Sequence, residues 1–335
     1  MHPFGSRVYA ANGTNVSVID TATNTVVATV VGVAPFGVAA HPFGGHVYVT
    51  EPFEDTVSVI ETATNTVVAT VGVGEWPFGV AVTPDGGSVY VANSLSDTVS
   101  VINAPTSIVV ATVSVGERPR GVAVHPDGSF VYVAGGTANF FEIPLNGTVW
   151  VIDTATKTVG ASVEVGVEPV GIAVTPDGSF VYVANENFWW GGNGSTVSVI
   201  DTATNTVVAT VEVGVRPFGV AVTPDGGSVY VVNGDPAVPG TLSVIDTATN
   251  TVVGTVHIND ADPVAFGQFI GGPLPPVGGS ITGLDLEGFR CWNKTTRQRF
   301  VMAIPEGETT WDCEAEGLIV DPGDTVQITG QGVAE

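Results

Sequence analysis

The stretch Thr83-Pro84-Asp85-Gly86-Gly87-Ser88-Val89-Tyr90-Val91-Ala92-Asn93 decides the architecture. Its opening residues form a turn with a mechanism: proline presets φ, aspartate bonds its own backbone and glycine takes positive φ. The rest alternates with β-branched and aromatic residues, the signature of a strand. Working outward, a short loop leads to a second alternating run, Thr98-Val99-Ser100-Val101-Ile102. A later copy continues through a tight turn, Asp201-Thr202-Ala203-Thr204-Asn205, and a β-branched run, Thr206-Val207-Val208-Ala209-Thr210-Val211. A Gly-x-x-Pro loop then enters an apolar segment, Phe218-Gly219-Val220-Ala221-Val222, expected to be an innermost strand buried on both faces. Four strands in roughly 40–50 residues make one propeller blade.

The unit recurs. Its tyrosines stand at 9, 48, 90, 132, 182 and 230, spaced by 39, 42, 42, 50 and 48 residues. The first unit, 7–31, lacks an inner strand, and the last ends near His257. Beyond it, Asp262-Pro263-Val264-Ala265-Phe266-Gly267-Gln268-Phe269-Ile270 reads as an inner strand without a blade. Pairing it with the N-terminal strands completes a sixth blade from both ends of the chain and hides edges that invite aggregation. The expected fold is therefore all-β: a six-bladed propeller over 1–271, closed by N- and C-terminal strands of one blade. A Pro/Gly linker at 272–279 and a small β-module at 280–335 follow.

These units resemble the YVTN repeats of archaeal and bacterial surface-layer propellers. The likeness rests on Tyr90-Val91-Ala92-Asn93, Tyr182-Val183-Ala184-Asn185 and Tyr48-Val49-Thr50, together with the Val-Ile-Asp-Thr-Ala-Thr-Asn and Thr-Pro-Asp-Gly turns, and it covers residues 2–271. It implies a propeller fold and a surface or cell-envelope protein without an assigned reaction. More distant relatives resemble lactonases and a streptogramin lyase, but no motif here receives their catalytic residues. Some members have seven blades, so a count of six departs from part of the family.

Composition narrows the partners. The chain has 335 residues, 33 acids against 9 bases and a net charge of −24. Nucleic acid is excluded because binding it releases counterions through Lys and Arg. An anionic membrane surface is disfavoured on the same ground, and no apolar run approaches the ~20 residues of a membrane helix. An acidic, Thr-rich, Lys-poor surface fits an extracellular or high-salt setting. No signal-peptide pattern precedes the first repeat, which implies a chain numbered after processing or one that stays inside.

The candidate site follows from where the repeats diverge. The loops before the inner strands align on Pro35, Pro77, Pro119, Pro169, Pro217 and Pro263. Before each proline stand Ala34, Trp76, Arg118, Glu168, Arg216 and Asp262; after it come Phe36, Phe78, Arg120, Val170, Phe218 and Val264. Three of the five propeller bases, Arg118, Arg120 and Arg216, sit in this loop set, beside Glu75, Glu117 and Glu168. Arginine forks suit carboxylates or phosphates; alternatively these arginines pair with the neighbouring glutamates. Two long loops between second and third strands, carrying Phe140 and Phe141 and then Glu186, Phe188, Trp189 and Trp190, form an aromatic wall. Such aromatics mark a protein or carbohydrate surface, or else fold onto their own loops.

Enzyme signals are thin. The histidines His2, His41 and His125 replace a turn threonine in different blades, which argues against a metal site. No serine sits in a Gly-x-Ser-x-Gly elbow. No resident cofactor is expected; a divalent cation on mouth carboxylates such as Glu51, Glu54 and Asp55 is the variant considered. The aspartates Asp20, Asp153, Asp201 and Asp246 read as turn residues rather than calcium loops. In the tail, strands are expected at 280–284, 290–293, 298–304, 309–314 and 324–329, with Cys291 and Cys313 linking two of them. That link would contribute about 3 kcal/mol and imply an oxidising compartment; two reduced thiols in a small core are the alternative. The overall expectation is an extracytoplasmic binding or assembly propeller acting through its loop face, with self-assembly through the tail open to it. The alternative is a lactonase-like or lyase-like enzyme at the channel mouth.

Overall fold

A computed structural model describes residues 6–31, 34–136, 146–187, 194–235, 238–258, 289–293, 299–302 and 326–329. Among them every regular element is a β-strand, and the strands of the repeats form six successive antiparallel sheets. Blade three is representative: Pro77–Val82 is innermost, followed by Ser88–Asn93, Thr98–Asn103 and the outer Ile108–Ser114. Blades two, four, five and six repeat this order over 38–72, 121–167, 169–212 and 217–257. Blade one has three described strands, Arg7–Ala11, Asn15–Asp20 and Thr25–Val31. The strand expected to complete it, 262–270, lies outside the described residues, as does the linker. In the tail, Phe289–Asn293 pairs with Arg299–Met302 on one side and Val326–Thr329 on the other, matching three of the five expected strands. The strands expected at 280–284 and 309–314, and Cys313, lie outside the description.

Hydrophobic burial runs between blades rather than within them. Five apolar clusters each join consecutive blades, from the one–two interface to the five–six interface. At the two–three interface Tyr48, Val57, Val59 and Val71 of one blade meet Val80, Val89, Val91 and Ile102 of the next. Register explains the selection, because alternate residues of each strand face opposite neighbours. Burial of the inner strands varies: Val220, Ala221 and Val222 of blade six are buried as expected, whereas Val122, Ala123 and Val124 of blade four are only partly covered.

One feature of the outer strands escaped the sequence reading. Each outer strand carries a β-bulge at the same register, as between Val59/Ile60 and Val101/Ile102. The residue pushed out is Gly160 in blade four and Val27, Val68, Val110, Val208 or Val253 in the others, each valine 50–65% exposed. A bulge twists an exposed edge away from incoming strands, a device that limits edge-to-edge pairing.

The last residue of the second strand explains the repeated Asn. The Nδ2 atoms of Asn93, Asn185 and Asn233 donate to the hydroxyls Thr98 and Ser100, Thr196 and Ser198, and Thr241 and Ser243 of the third strand. Where the asparagine changes, its partners change with it. Glu51 keeps the hydroxyls Thr56 and Ser58 as donors. Gly135 instead leaves room for Trp150, whose ring would meet any Cβ placed there.

The face carrying Thr-Pro-Asp-Gly is stitched by short polar bonds. Thr83 donates to Asp85 at 2.5 Å, and Asp85 accepts from the Gly87 amide at 2.9 Å. At blade four the histidine variant bonds Asp127 through Nδ1 at 2.6 Å, while Nε2 reaches the Gly178 carbonyl of the next blade at 3.1 Å. His41 makes the same reach to Gly86 at 3.1 Å. These histidines are inter-blade ties. The hairpin aspartates accept from threonine two ways, as Asp201 does from the Thr204 amide and hydroxyl. Those bonds hold Asp20, Asp153, Asp201 and Asp246 below the ordinary carboxylate range, as turn residues should be.

Candidate functional site

The opposite face is built from two interlocked loop sets. The amide of Trp76 donates to Asp55 Oδ1 at 2.8 Å, and that of Arg118 to Asp97 Oδ1 at 2.9 Å. Carbonyls of the same loops accept from the chain leaving the second strand: Trp76 from Ser94, Glu168 from Glu186, and Arg216 from Gly234. The loops therefore hold one geometry with different side chains. Trp76, Arg118, Glu168 and Arg216 all adopt φ between 49° and 56°. This left-handed region is sparse for non-glycine residues and costs on the order of 1–3 kcal/mol, so it persists only where surrounding bonds over-determine it. Here the aspartate acceptors and the strand-exit amides supply that constraint.

Three residues that follow these prolines, Phe36, Phe78 and Arg120, come together from consecutive blades. Consecutive blades touch around their inner strands: the Gly79 amide donates to the Arg120 carbonyl at 2.9 Å, and the Thr50 hydroxyl to the Phe78 carbonyl at 2.7 Å. A Cβ at Gly37, Gly79, Gly121 or Gly171 would overlap the next blade's backbone, so glycine sets how closely the blades approach. The post-proline side chains then form a chain of contacts. Phe36 and Phe78 have ring centroids 4.0 Å apart, and the Arg120 guanidinium lies 5.9 Å from the Phe78 centroid.

From Arg120 the chain becomes ionic. Arg120 stands 3.6 Å from Glu186 Oε2, and Arg216 donates to Glu186 Oε1 at 3.1 Å. The side chains are 15%, 12% and 5% exposed for Arg120, Arg216 and Glu186, so the cluster is largely out of water. It spans three blades, since Arg120 belongs to blade four, Glu186 to blade five and Arg216 enters blade six. Burial lifts the Glu186 carboxyl above the ordinary glutamate range, although both guanidiniums oppose the shift and Glu168 adds to it. Burial likewise lowers Arg120, against the pull of Glu186 and Glu168. The site is an electrostatically coupled group of Arg120, Glu168, Glu186 and Arg216 beside the Phe36–Phe78 ring pair.

Of the predicted residues, the fold brings together Arg120, Glu168 and Arg216. Their anchor is Glu186, not the adjacent Glu75 and Glu117. Trp76 stands apart from this group, its ring edge-on to Phe53 at 5.0 Å. Arg118 is partly exposed on the neighbouring loop. Phe140, Phe141, Phe188, Trp189 and Trp190 lie outside the described residues. Sequence reading missed Phe53 and the clamping role of Glu186, and it took only Arg120 from the post-proline positions. The alignment on proline was the available signal for Phe36, Phe78 and Phe218. Nothing local marks Glu186, whose partners come from two other blades. Of the carboxylates weighed as cation ligands, Glu51 is 5% exposed and engaged by Thr56 and Ser58, and Asp55 caps a loop.

Whether a divalent cation fits can be judged from the donors. Both Glu186 oxygens face guanidinium groups, so an ion placed there would meet two positive charges. Among the described residues, no group of three His, Cys, Asp or Glu side chains is arranged to hold a metal. The residues of the cluster do not fit a cation.

The comparisons agree with this geometry at the level of fold. A family model described as a YNCE-like beta-propeller matches residues 7–144. A second, described as a lactonase, 7-bladed beta-propeller, matches residues 103–237. The chain is a β-propeller. Six sheets carry its repeats, against the seven blades in the description of the lactonase model. No curated protein matches the propeller in sequence. Among solved structures it is similar to Kuenenia stuttgartiensis hydrazine synthase, at 22% identity and a TM-score of 0.66, over 91% of this chain and 94% of that one. At that identity the likeness concerns the fold alone.

Proposed function

We propose that this propeller is a non-catalytic binding scaffold of the surface-layer, YVTN-like type, acting outside the cytoplasm and recognising a protein or carbohydrate partner through its loop face. One observation carries the reading. Corresponding positions Trp76, Arg118, Glu168 and Arg216 share one strained backbone geometry while presenting four environments, whereas the opposite face repeats the same turns. Strain held at a variable surface on a rigid scaffold is a mark of recognition. The acidic, Lys-poor composition supports an extracytoplasmic setting. The test is binding of the full chain to a glycan array and to an isolated cell-envelope fraction. Trp76→Ala with Arg118→Ala should abolish the signal, and Asp85→Asn on the opposite face should keep it. The reverse pattern would refute the reading.

A second reading is favoured by the extent of the lactonase match, which contains Arg118, Arg120, Glu168, Glu186 and Arg216. Under it, the guanidiniums of Arg120 and Arg216 would polarise a cyclic ester at the axis, without a metal. Hydrolysis of a simple lactone that disappears in Arg120→Met would support it. No turnover by the unaltered chain, or turnover undiminished in that variant, would end it.

A further inference from the structure

The loop face is not uniform in charge. Around blades four to six its arginines Arg120 and Arg216 are occupied by Glu186. Around blades two and three it is apolar and acidic. Phe53 is 73% exposed and packs edge-on against Trp76, with centroids 5.0 Å apart and planes at 73°. Leu95, 55% exposed, is held beside them because its amide donates to the Glu75 carbonyl at 3.1 Å. The patch is rigid: Glu75 and Trp76 donate their amides to Ser96 Oγ at 2.6 Å and Asp55 Oδ1 at 2.8 Å. Glu54 and Glu75 flank the rings in sequence and are exposed. Among the described residues neither carboxylate makes a hydrogen bond or ion pair. Asp55 and Asp97 have a different task, capping the loops.

We propose that the Phe53–Trp76–Leu95 patch docks a cationic segment of a partner polypeptide, an arginine or lysine stem lying on the rings with its charged head between Glu54 and Glu75. This rests on the loop-face reading and names its partner. The chemistry of the patch selects this occupant. An exposed aromatic pair attracts a cation through its ring faces and covers the methylene stem. Two unengaged carboxylates beside it supply charge-assisted acceptors. A chain with 33 acids and 9 bases steers cationic partners toward it and repels acidic ones. Pre-formed aromatic surface with little side-chain freedom is the usual anchor of a protein interface.

The experiment titrates the full chain with a short peptide of arginines spaced by glycines, at about 0.15 M salt so that exposed charges beyond roughly 8 Å are screened. The unaltered chain should bind, and Phe53→Ala, which leaves the charge unchanged, should weaken binding about tenfold, as loss of an interface anchor does. Glu54→Gln with Glu75→Gln should weaken it similarly and flatten its salt dependence. Glu164→Gln with Glu212→Gln, removing two charges from the outer strands of blades four and five, should change little. Equal binding by Phe53→Ala and the unaltered chain would reduce the effect to general polyanion attraction and overturn the proposal. A glycan that binds and is lost in Phe53→Ala, with no peptide binding, would overturn the cationic partner while leaving the loop-face reading intact. No peptide binding at all overturns it as well.

Discussion

The two faces of the propeller are made by the same repeat, yet they carry charge in opposite ways. On the turn face, aspartates stay exposed and accept bonds from adjacent hydroxyls and amides, as Asp127 does from Ser129. On the loop face, Glu186 is buried, accepts a hydrogen bond from Arg216 and forms an ion pair with Arg120, partners from two other blades. Local bonds make the first face a stable repeat that tolerates copying. Long-range bonds make the second face specific to its place in the ring. The lesson is that divergence concentrates where blades must contact each other near the axis, not where each blade closes its own turns.

The sharpest way to break this contrast is to remove the anchor. Glu186→Ala leaves two largely buried guanidiniums without their shared carboxylate and should cost about 3–5 kcal/mol in chemical denaturation. Replacing the trio together, Arg120→Met, Glu186→Leu and Arg216→Met, should recover most of that loss, because a buried ion cluster is often no better than apolar packing. Failure to recover would mean that the cluster contributes more than charge pairing.

Glycine supplies the next test. Gly79→Ala forces a Cβ onto the Arg120 carbonyl of the next blade and should destabilise by roughly 1–3 kcal/mol. Gly254→Ala, whose Cβ would sit 3.9 Å from Val244, should instead stabilise by about 0.5–1 kcal/mol. Thermal melts of the pair should therefore move in opposite directions.

The faces should also titrate oppositely. Hydrogen bonds from Ser129 draw Asp127 down to about 2, and threonine and backbone bonds lower Asp85, Asp177 and Asp225. A folded carboxyl below its unfolded value stabilises above the unfolded value, and this is lost as pH falls through the folded one. Stability from the turn face should thus fade from about pH 4 toward 2, and Asp127→Asn should remove its share of that slope. Glu186, raised by burial, acts the other way, its contribution falling as pH rises above the ordinary glutamate range. Burial also raises Tyr132 and Tyr182 to about 12, so stability should fall again as pH climbs from about 10 to 12.

The smallest effect concerns a missing bond in the repeat. Tyr182 Oη donates to Asn250 of the next blade at 2.7 Å, and Tyr9 reaches Asn65 at 3.4 Å. In blade three the matching turn residue is Ser107, at φ 54°, and Tyr48 Oη is buried without a hydrogen-bond partner among the described residues. Ser107→Asn should supply the acceptor and suit the left-handed backbone, stabilising by about 1 kcal/mol.

Much of this was legible from the chain itself. The tyrosine spacing, the Thr-Pro-Asp-Gly turns and the aspartates of Asp-Thr-Ala-Thr-Asn announced strands, blade number and turn chemistry, because each is a local signal. The histidines at 41 and 125 were recognised as variants of the turn threonine, but their reach to the next blade's carbonyl was not legible. The bulge was not legible: Thr206-Val207-Val208-Ala209-Thr210-Val211 reads as an unbroken strand, and only pairing against 196–201 shows Val208 extruded. Nor was Glu186, because ion pairing across three blades leaves no trace in spacing. The arginines were found, since bases are rare here, but their expected partners were sequence neighbours rather than a residue brought close by the ring.

The most direct measurement is hydrogen–deuterium exchange of the full chain with and without bound partner, taken as the arginine–glycine peptide or whichever glycan the array returns. The account predicts added protection over 53–55, 74–78 and 94–97, with no change at the turns 83–88 and 125–129. Protection centred on those turns instead would contradict the assignment of recognition to the loop face.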